Sequence, residues 1–368
     1  MRRFSYRAGY KKRLTRLAAR LSAQLLAGER ARDPVAVPER ILAVQGQDPR
    51  GFRLAVRART EGITAADVDR ALTEDRSLLV TWLNRGTLHL VRSEDYPLIH
   101  AVTTPPLRTS SERRLAQEGV PPAQSKRAVA AIVKALTDDG PLSSRDLRAR
   151  LVARGIRAEG QALYHLLFKA SLDGLVVRGP MAGKQHACVL ARDWLPKTRP
   201  IDRDEALPEF ARRYLAGHGP ATDRDLARWA GIPVGQARRG LGAISAQLKE
   251  LGDGLVDLKH RRRPAELPPP RLLGAFEPSL LGWVSREDIV GDAPNLVTAG
   301  GMFYPFAMVR GRAVARWKLA DGKLELDPFR RIAKPDREAL EQDAGDVERF
   351  FGQRPREEVR VARRRNAE

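Results

Sequence analysis

The sequence predicts an α+β fold in which one helix–turn–helix–hairpin unit recurs three times before a small β-rich C-terminal domain. Three observations lead there. Gly62-Ile63-Thr64-Ala65-Ala66-Asp67-Val68, Gly140-Pro141-Leu142-Ser143-Ser144-Arg145-Asp146-Leu147 and Gly219-Pro220-Ala221-Thr222-Asp223-Arg224-Asp225-Leu226 share a local pattern, and their aspartates Asp67, Asp146 and Asp225 are each 79 residues apart. Each segment is followed by a second helical pattern and then a short β-prone stretch, at residues 86–91, 174–178 and 254–258. After the basic, proline-rich segment around residues 260–270, glycines and short β-prone runs dominate.

Taken in order, residues 1–15 form a basic N-terminal arm, and Leu14, Leu17, Leu21 and Leu25 then recur at helical spacing. The first unit, 16–120, carries Gln45-Gly46-Gln47. Two glutamines two residues apart cannot share a helical face, so a turn or extended segment is needed to bring them together. Asp48 reads as an N-cap and Pro49 as a first helical residue, which sets the glutamines just before a helix N-terminus. Arg50, Arg53 and Arg57 recur on that helix at three- or four-residue spacing and predict one basic face for phosphate. Further on, Trp82 is expected in the core at a helix end, with Thr87 to Val91 as a wing strand offering Arg85 and His89 to a groove.

The second unit, 121–200, is expected to place its long helix at 158–172. A hairpin turn follows at 179–184, where Lys184 is a candidate phosphate contact, and Ala187 to Leu190 returns as the partner strand. In the third unit, 201–263, the long helix is expected at 235–251. Helix, turn, helix, hairpin is winged-helix grammar. The β-rich domain spans 264–335, with strands expected at 303–310, 313–319 and 324–326, and 336–368 is a helix and charged tail.

The 368 residues carry 66 Lys+Arg against 45 Asp+Glu, a net charge of +21, which points to a polyanionic partner. No stretch reaches the ~18 apolar residues of a membrane span, so nucleic acid is favoured over a bilayer and no membrane partner is expected. Cys188 is the lone cysteine, which excludes disulfides within the chain and cysteine-based zinc sites and fits a reducing cytoplasm. Six histidines lie scattered without ligand spacing, so no metal site is expected; phosphate-cradling glycine loops and G-x-S-x-G elbows are also missing. No cofactor is implied. No heptad run predicts a dimer helix, so a monomer is expected.

Taken together, Leu42-Ala43-Val44-Gln45-Gly46-Gln47-Asp48-Pro49, Thr81-Trp82-Leu83-Asn84-Arg85-Gly86-Thr87-Leu88-His89-Leu90-Val91, Ala162-Leu163-Tyr164-His165-Leu166-Leu167 and Leu272-Leu273-Gly274-Ala275-Phe276-Glu277-Pro278 resemble the AlkZ-type winged-helix DNA glycosylases. The resemblance implies three tandem winged-helix units forming a DNA-binding channel. It also implies a monofunctional glycosylase that removes N7-alkylated purines and unhooks interstrand crosslinks in double-stranded DNA, in repair or genotoxin self-resistance, in a nucleoid-associated cytoplasmic setting. The family's catalytic pair carries onto Gln45 and Gln47. The chain departs from the family at Gly46, where a larger side chain is usual, and at Glu277, where an aspartate is expected. Without the resemblance, the same elements would suit a non-enzymatic tandem winged-helix regulator or architectural protein.

The chemistry implied is modest. An N7-alkylated purine is cationic, so its glycosidic bond breaks toward an oxocarbenium-like sugar without strong protonation of the leaving base. Carboxamide oxygens suit holding a water near C1′, and neutral side chains need no tuned pKa.

Overall fold

The computed structural model describes residues 2–182, 185–197, 199, 201–261, 266–291, 293, 295–320 and 322–352. The chain divides into two compact units: one from Met1–Asp69, Arg213–Asp225 and Ala246–Glu368, the other from Arg70–Arg212 and Leu226–Ser245.

In the second of these, strands Leu88–Arg92, Leu78–Trp82, Val176–Ala182 and Gln185–Leu190 lie side by side in that order, all antiparallel. Two hairpins far apart in sequence thus merge through the Val80↔Arg178 pairing. This corrects the expectation of a second helix ending near Trp82. Leu78 to Trp82 are all buried. A short run covered on both faces has no 3.6-residue spacing to read, and its Val, Thr and Trp suit a pleated surface. Arg76, at φ 52, turns the chain just after helix Ala65–Thr73. One helix, not two, therefore lies between the helix entrance at Gly62 and the first hairpin.

The 122–190 stretch follows the expected order more closely. Helix Pro122–Asp139 leads to a bridge between Leu142 and Cys188, then helices Ser144–Val152 and Ala162–Leu172 and the hairpin. Ser143 caps its helix by accepting from Asp146 N at 3.1 Å. The strand runs on through Gly179-Pro180 with a register shift between Arg178 and Met181, because Pro180 has no N–H for the ladder. Trp82, Ile132, Leu147, Leu166 and Phe168 share the core beneath, where full burial of one such side chain contributes about 1.5–3 kcal/mol. Along residues 203–258 the order recurs: Arg203–His218, a bridge between Ala221 and Val256, Asp223–Ala230, Val234–Ala243, then strands Leu248–Glu250 and Val256–Leu258. The last helix stops at Ala243, short of the expected 251, because residues 248–250 serve as a strand.

In the other unit, helical backbone already begins at Arg2 and runs to Ala23, over the stretch expected as an arm. Strands Arg271–Leu273, Phe306–Val309, Arg312–Ala320 and Lys323–Pro328 form a four-stranded antiparallel meander. Helix Lys334–Phe350 covers it through Leu340, Ala344 and Val347. Leu54, from helix Pro49–Arg59, packs into this same core with Leu272 and Trp317. The helix that follows the glutamines is therefore seated on the C-terminal sheet. Lys184, Arg262, Arg263, Asp321 and the tail from 353 lie outside the described residues.

Candidate functional site

Helix Ala36–Ile41 ends at Leu42, which is fully buried at φ 63, ψ −46, and Ala43 N donates to Ile41 O at 2.8 Å. That is a γ-turn of the rare positive-φ kind, a conformation held only when its surroundings over-determine it. It delivers Val44–Gln45 as a short extended segment. Gln45 is 6 % exposed and its Nε2 donates to Gln47 Oε1 at 2.7 Å, while Gln47 stands in solvent. The two carboxamides do converge, one anchored and one accessible.

Asp48 caps helix Pro49–Arg59: its Oδ1 accepts from Arg50 N at 2.9 Å, and Pro49 opens the first turn. That commitment to the backbone argues against Asp48 as a general base. The first turn carries no acidic residue of its own, so the Asp48 carboxylate at the cap is the anion that meets the partial positive charge of the helix N-terminus. The helix is fixed from below by close backbone approach, since a Cβ on Gly51 would sit 2.5 Å from Ala275 O.

Of the three arginines expected on one basic face, only Arg50 is exposed, with its guanidinium 4.4 Å over the Phe351 ring. Arg53 is 8 % exposed, donates to Pro49 O at 2.8 Å and pairs with Asp69. Arg57 is buried, reaching Asp343 Oδ2 at 2.8 Å, Asp346 Oδ2 at 3.0 Å and Leu272 O at 2.9 Å. Burial alone would lower its pKa, but Asp343 and then Asp346 outweigh that and hold it above the ordinary value. The basic face is replaced by two internal ties, because a guanidinium inside a core needs carboxylate and carbonyl partners.

Two residues on, Arg59 and Glu277 pair with both side chains wholly buried, and Gln24 accepts from Arg59 through both its carbonyl and its side chain. Glu277 Oε1 also accepts from Ser279 N at 3.1 Å. The departure at Glu277 thus has a structural use: the longer side chain ties the Pro278–Leu280 turn to this helix. The sequence reading missed Arg59, Gln24 and also Arg20, which donates to Pro220 O and lies over Trp283. A charged residue inside an apolar stretch was the available signal.

In the unit containing the merged hairpins, Arg85 sits in the turn between Leu78–Trp82 and Leu88–Arg92 at φ 57 and donates to Trp229 O. Gly231, at φ 73, closes on it: a Cβ there would lie 2.8 Å from Arg85 N. His89 is 2 % exposed and hydrogen-bonds Thr87 O through Nδ1 at 2.9 Å. Burial, and next the charge of Arg85, push its imidazole down to about 3. It is neutral at physiological pH and so is no cationic phosphate clamp. No group of three or more His, Cys, Asp or Glu among the described residues could hold a metal ion, and no described helix is long and apolar enough to cross a membrane.

Comparison with known proteins adds three findings. A family model described as DNA glycosylase AlkZ-like matches residues 39–350. An interstrand DNA cross-link repair glycosylase of Streptomyces sahachiroi is 30 % identical over 345 residues, covering 85 % of this chain and 89 % of that protein. The solved structure of Streptomyces sahachiroi DNA glycosylase AlkZ aligns with a TM-score of 0.74 at 25 % identity, over 93 % of this chain and 98 % of that one.

Proposed function

The chain belongs to the DNA glycosylase AlkZ-like family, and from that premise we propose that it hydrolyses the N-glycosidic bond of N7-alkylated purines, including bulky adducts and interstrand crosslinks. It is a DNA glycosylase, and DNA is its substrate. Gln45 and Gln47 are the catalytic residues of this proposal. The observation that carries it is their mutual hydrogen bond of 2.7 Å at a capped helix N-terminus, inside the matched region.

Gln47 Oε1 accepts from Gln45 and keeps a second lone pair for an O–H of water. That water attacks C1′ as the C1′–N9 bond breaks; the bonding pair leaves with the base, neutralising its charge, and the water's proton passes to solvent. The carboxamide dipoles stabilise the cationic sugar in the transition state. Arg50 is the phosphate contact of choice, since it is exposed beside the helix N-terminus, whereas Arg53 and Arg57 hold the helix in place. Arg85 acts on DNA through the turn it fixes. Three tandem winged-helix units lining a DNA channel remain part of the proposal, supported by the repeated helix, helix, hairpin order in 122–190 and 203–258. A monomer suffices for this scheme.

The test is incubation of the protein with N7-methylguanine DNA and with a nitrogen-mustard crosslink, followed by alkali to cut at abasic sites. Strand scission by the wild type, lost in Gln45→Ala and Gln47→Ala, is expected. Unchanged scission in both variants removes the pair from catalysis.

A further inference from the structure

A cleft formed within residues 93–201 has a volume of about 700 Å³ and takes no part in the chemistry above. Arg108, Arg192, Lys197 and Arg199 line it, against the single carboxylate of Asp173. That carboxylate is already engaged by Lys169 at 3.3 Å. Arg192 and Arg199 have partners in Asp193 and Glu205. Among the described residues, no carboxylate pairs with the side chain of Arg108 or Lys197. Arg108 also opens helix Arg108–Gln117, whose first turn holds no acidic residue to offset it.

Below this rim the cleft is lined by Tyr96 and His100, ring centroids 5.1 Å apart, with Pro97 and Pro105 beside them. Tyr96 is 7 % exposed, its hydroxyl is sealed from solvent, and burial raises its pKa, so it stays uncharged. His100 donates through Nε2 to Ser171 O at 3.2 Å, and burial lowers its pKa, so it presents a neutral ring. Two cations without a carboxylate partner beside the uncharged rings of Tyr96 and His100, in a space of small-ligand size, fit one chemistry.

We propose that this cleft binds the phosphate group of a nucleotide, held by Arg108 and Lys197. The nucleotide is either free or a unit of a DNA strand, and the two sources separate by experiment. The first arm is calorimetric titration of the full chain with 2′-deoxyguanosine 5′-monophosphate and with inorganic phosphate. Binding that weakens at least tenfold in the Arg108→Ala/Lys197→Ala double variant identifies a free ligand. The second arm measures duplex affinity against salt: no mononucleotide binding, but a slope of log K on log[salt] shallower by about 0.9 per cation removed, identifies a strand phosphate. A double variant unchanged in both arms overturns the proposal.

Tyr96→Phe is the control for the cleft wall: because the hydroxyl is sealed from solvent, phosphate affinity within about twofold of wild type at an undiminished Tm is expected, and a roughly tenfold loss overturns the assignment of the phosphate to Arg108 and Lys197. Repeating both arms on Gln45→Ala, which lacks base release under the glycosylase reading and retains the cleft, reads the two proposals independently.

Discussion

Arg59 and Glu277 form a two-pronged ion pair with no solvent contact: Nη2 lies 2.5 Å from Oε1 and Nη1 3.4 Å from Oε2. Removing one partner leaves the other charge buried and alone, at a cost of about 3–5 kcal/mol. Glu277→Ala is expected to lower stability by that order in urea titration. Glu277→Asp, too short to reach Arg59 and cap Ser279 together, should recover only part of the loss.

The cap at Asp48 separates two roles in one experiment. Asn caps nearly as well as Asp, so Asp48→Asn should keep base release within a few-fold of wild type, while Asp48→Ala loses about 1 kcal/mol of stability. A general base would instead lose roughly 10²–10⁴-fold on conversion to Asn. Single-turnover release of N7-methylguanine distinguishes the outcomes.

His89 and His218 are both held near 3 by burial, well below the value of about 6.5 in an unfolded chain. The unfolded state therefore binds more protons between those values. Stability is full above pH 6.5 and falls as pH drops toward 3, with a slope of up to about 1.4 kcal/mol per pH unit for each histidine. Urea midpoints at pH 7, 6 and 5 should fall in that order, and His89→Gln should flatten the decline.

Gly51→Ala drives a methyl into Ala275 O, which is backbone and cannot rotate away. The helix must shift, and the glutamine pair ahead of it moves too. We expect a loss of about 1–3 kcal/mol in stability, with a fall in base release that persists at saturating DNA. A stability loss with unchanged release would detach the helix seat from the chemistry.

Arg50 and Arg57 should behave oppositely. Arg50→Ala is expected to weaken duplex binding and lower the salt slope by about 0.9, while stability falls by no more than about 0.5–1 kcal/mol, the worth of its contact with Phe351. Arg57→Ala should cost several kcal/mol of stability and leave the slope of the folded protein unaltered. Fluorescence anisotropy across a salt series, with thermal melts, checks both.

Local chemistry was readable in the sequence, and distant partnership was not. The Asp48-Pro49 helix start, the Ser143 cap and the 306–328 strands follow from neighbouring residues. Arg57 looked like a surface cation because Asp343 and Asp346 lie far along the chain. Residues 78–82 looked like a helix end because burial on both faces erases periodicity. The glutamine pair was found as a spacing that helices cannot use, and it carried functional weight only through the motifs around it. His89 was identified as a polar residue on a strand, but its neutrality depends on packing that no short window contains.

The shared sheet also limits where such a chain can be cut. Because Val80 and Arg178 join hairpins that lie far apart in sequence, neither hairpin is a freely exchangeable cassette. A fragment ending before residue 176, or beginning after residue 82, would uncover a strand edge with apolar flanks, ready to pair with another copy.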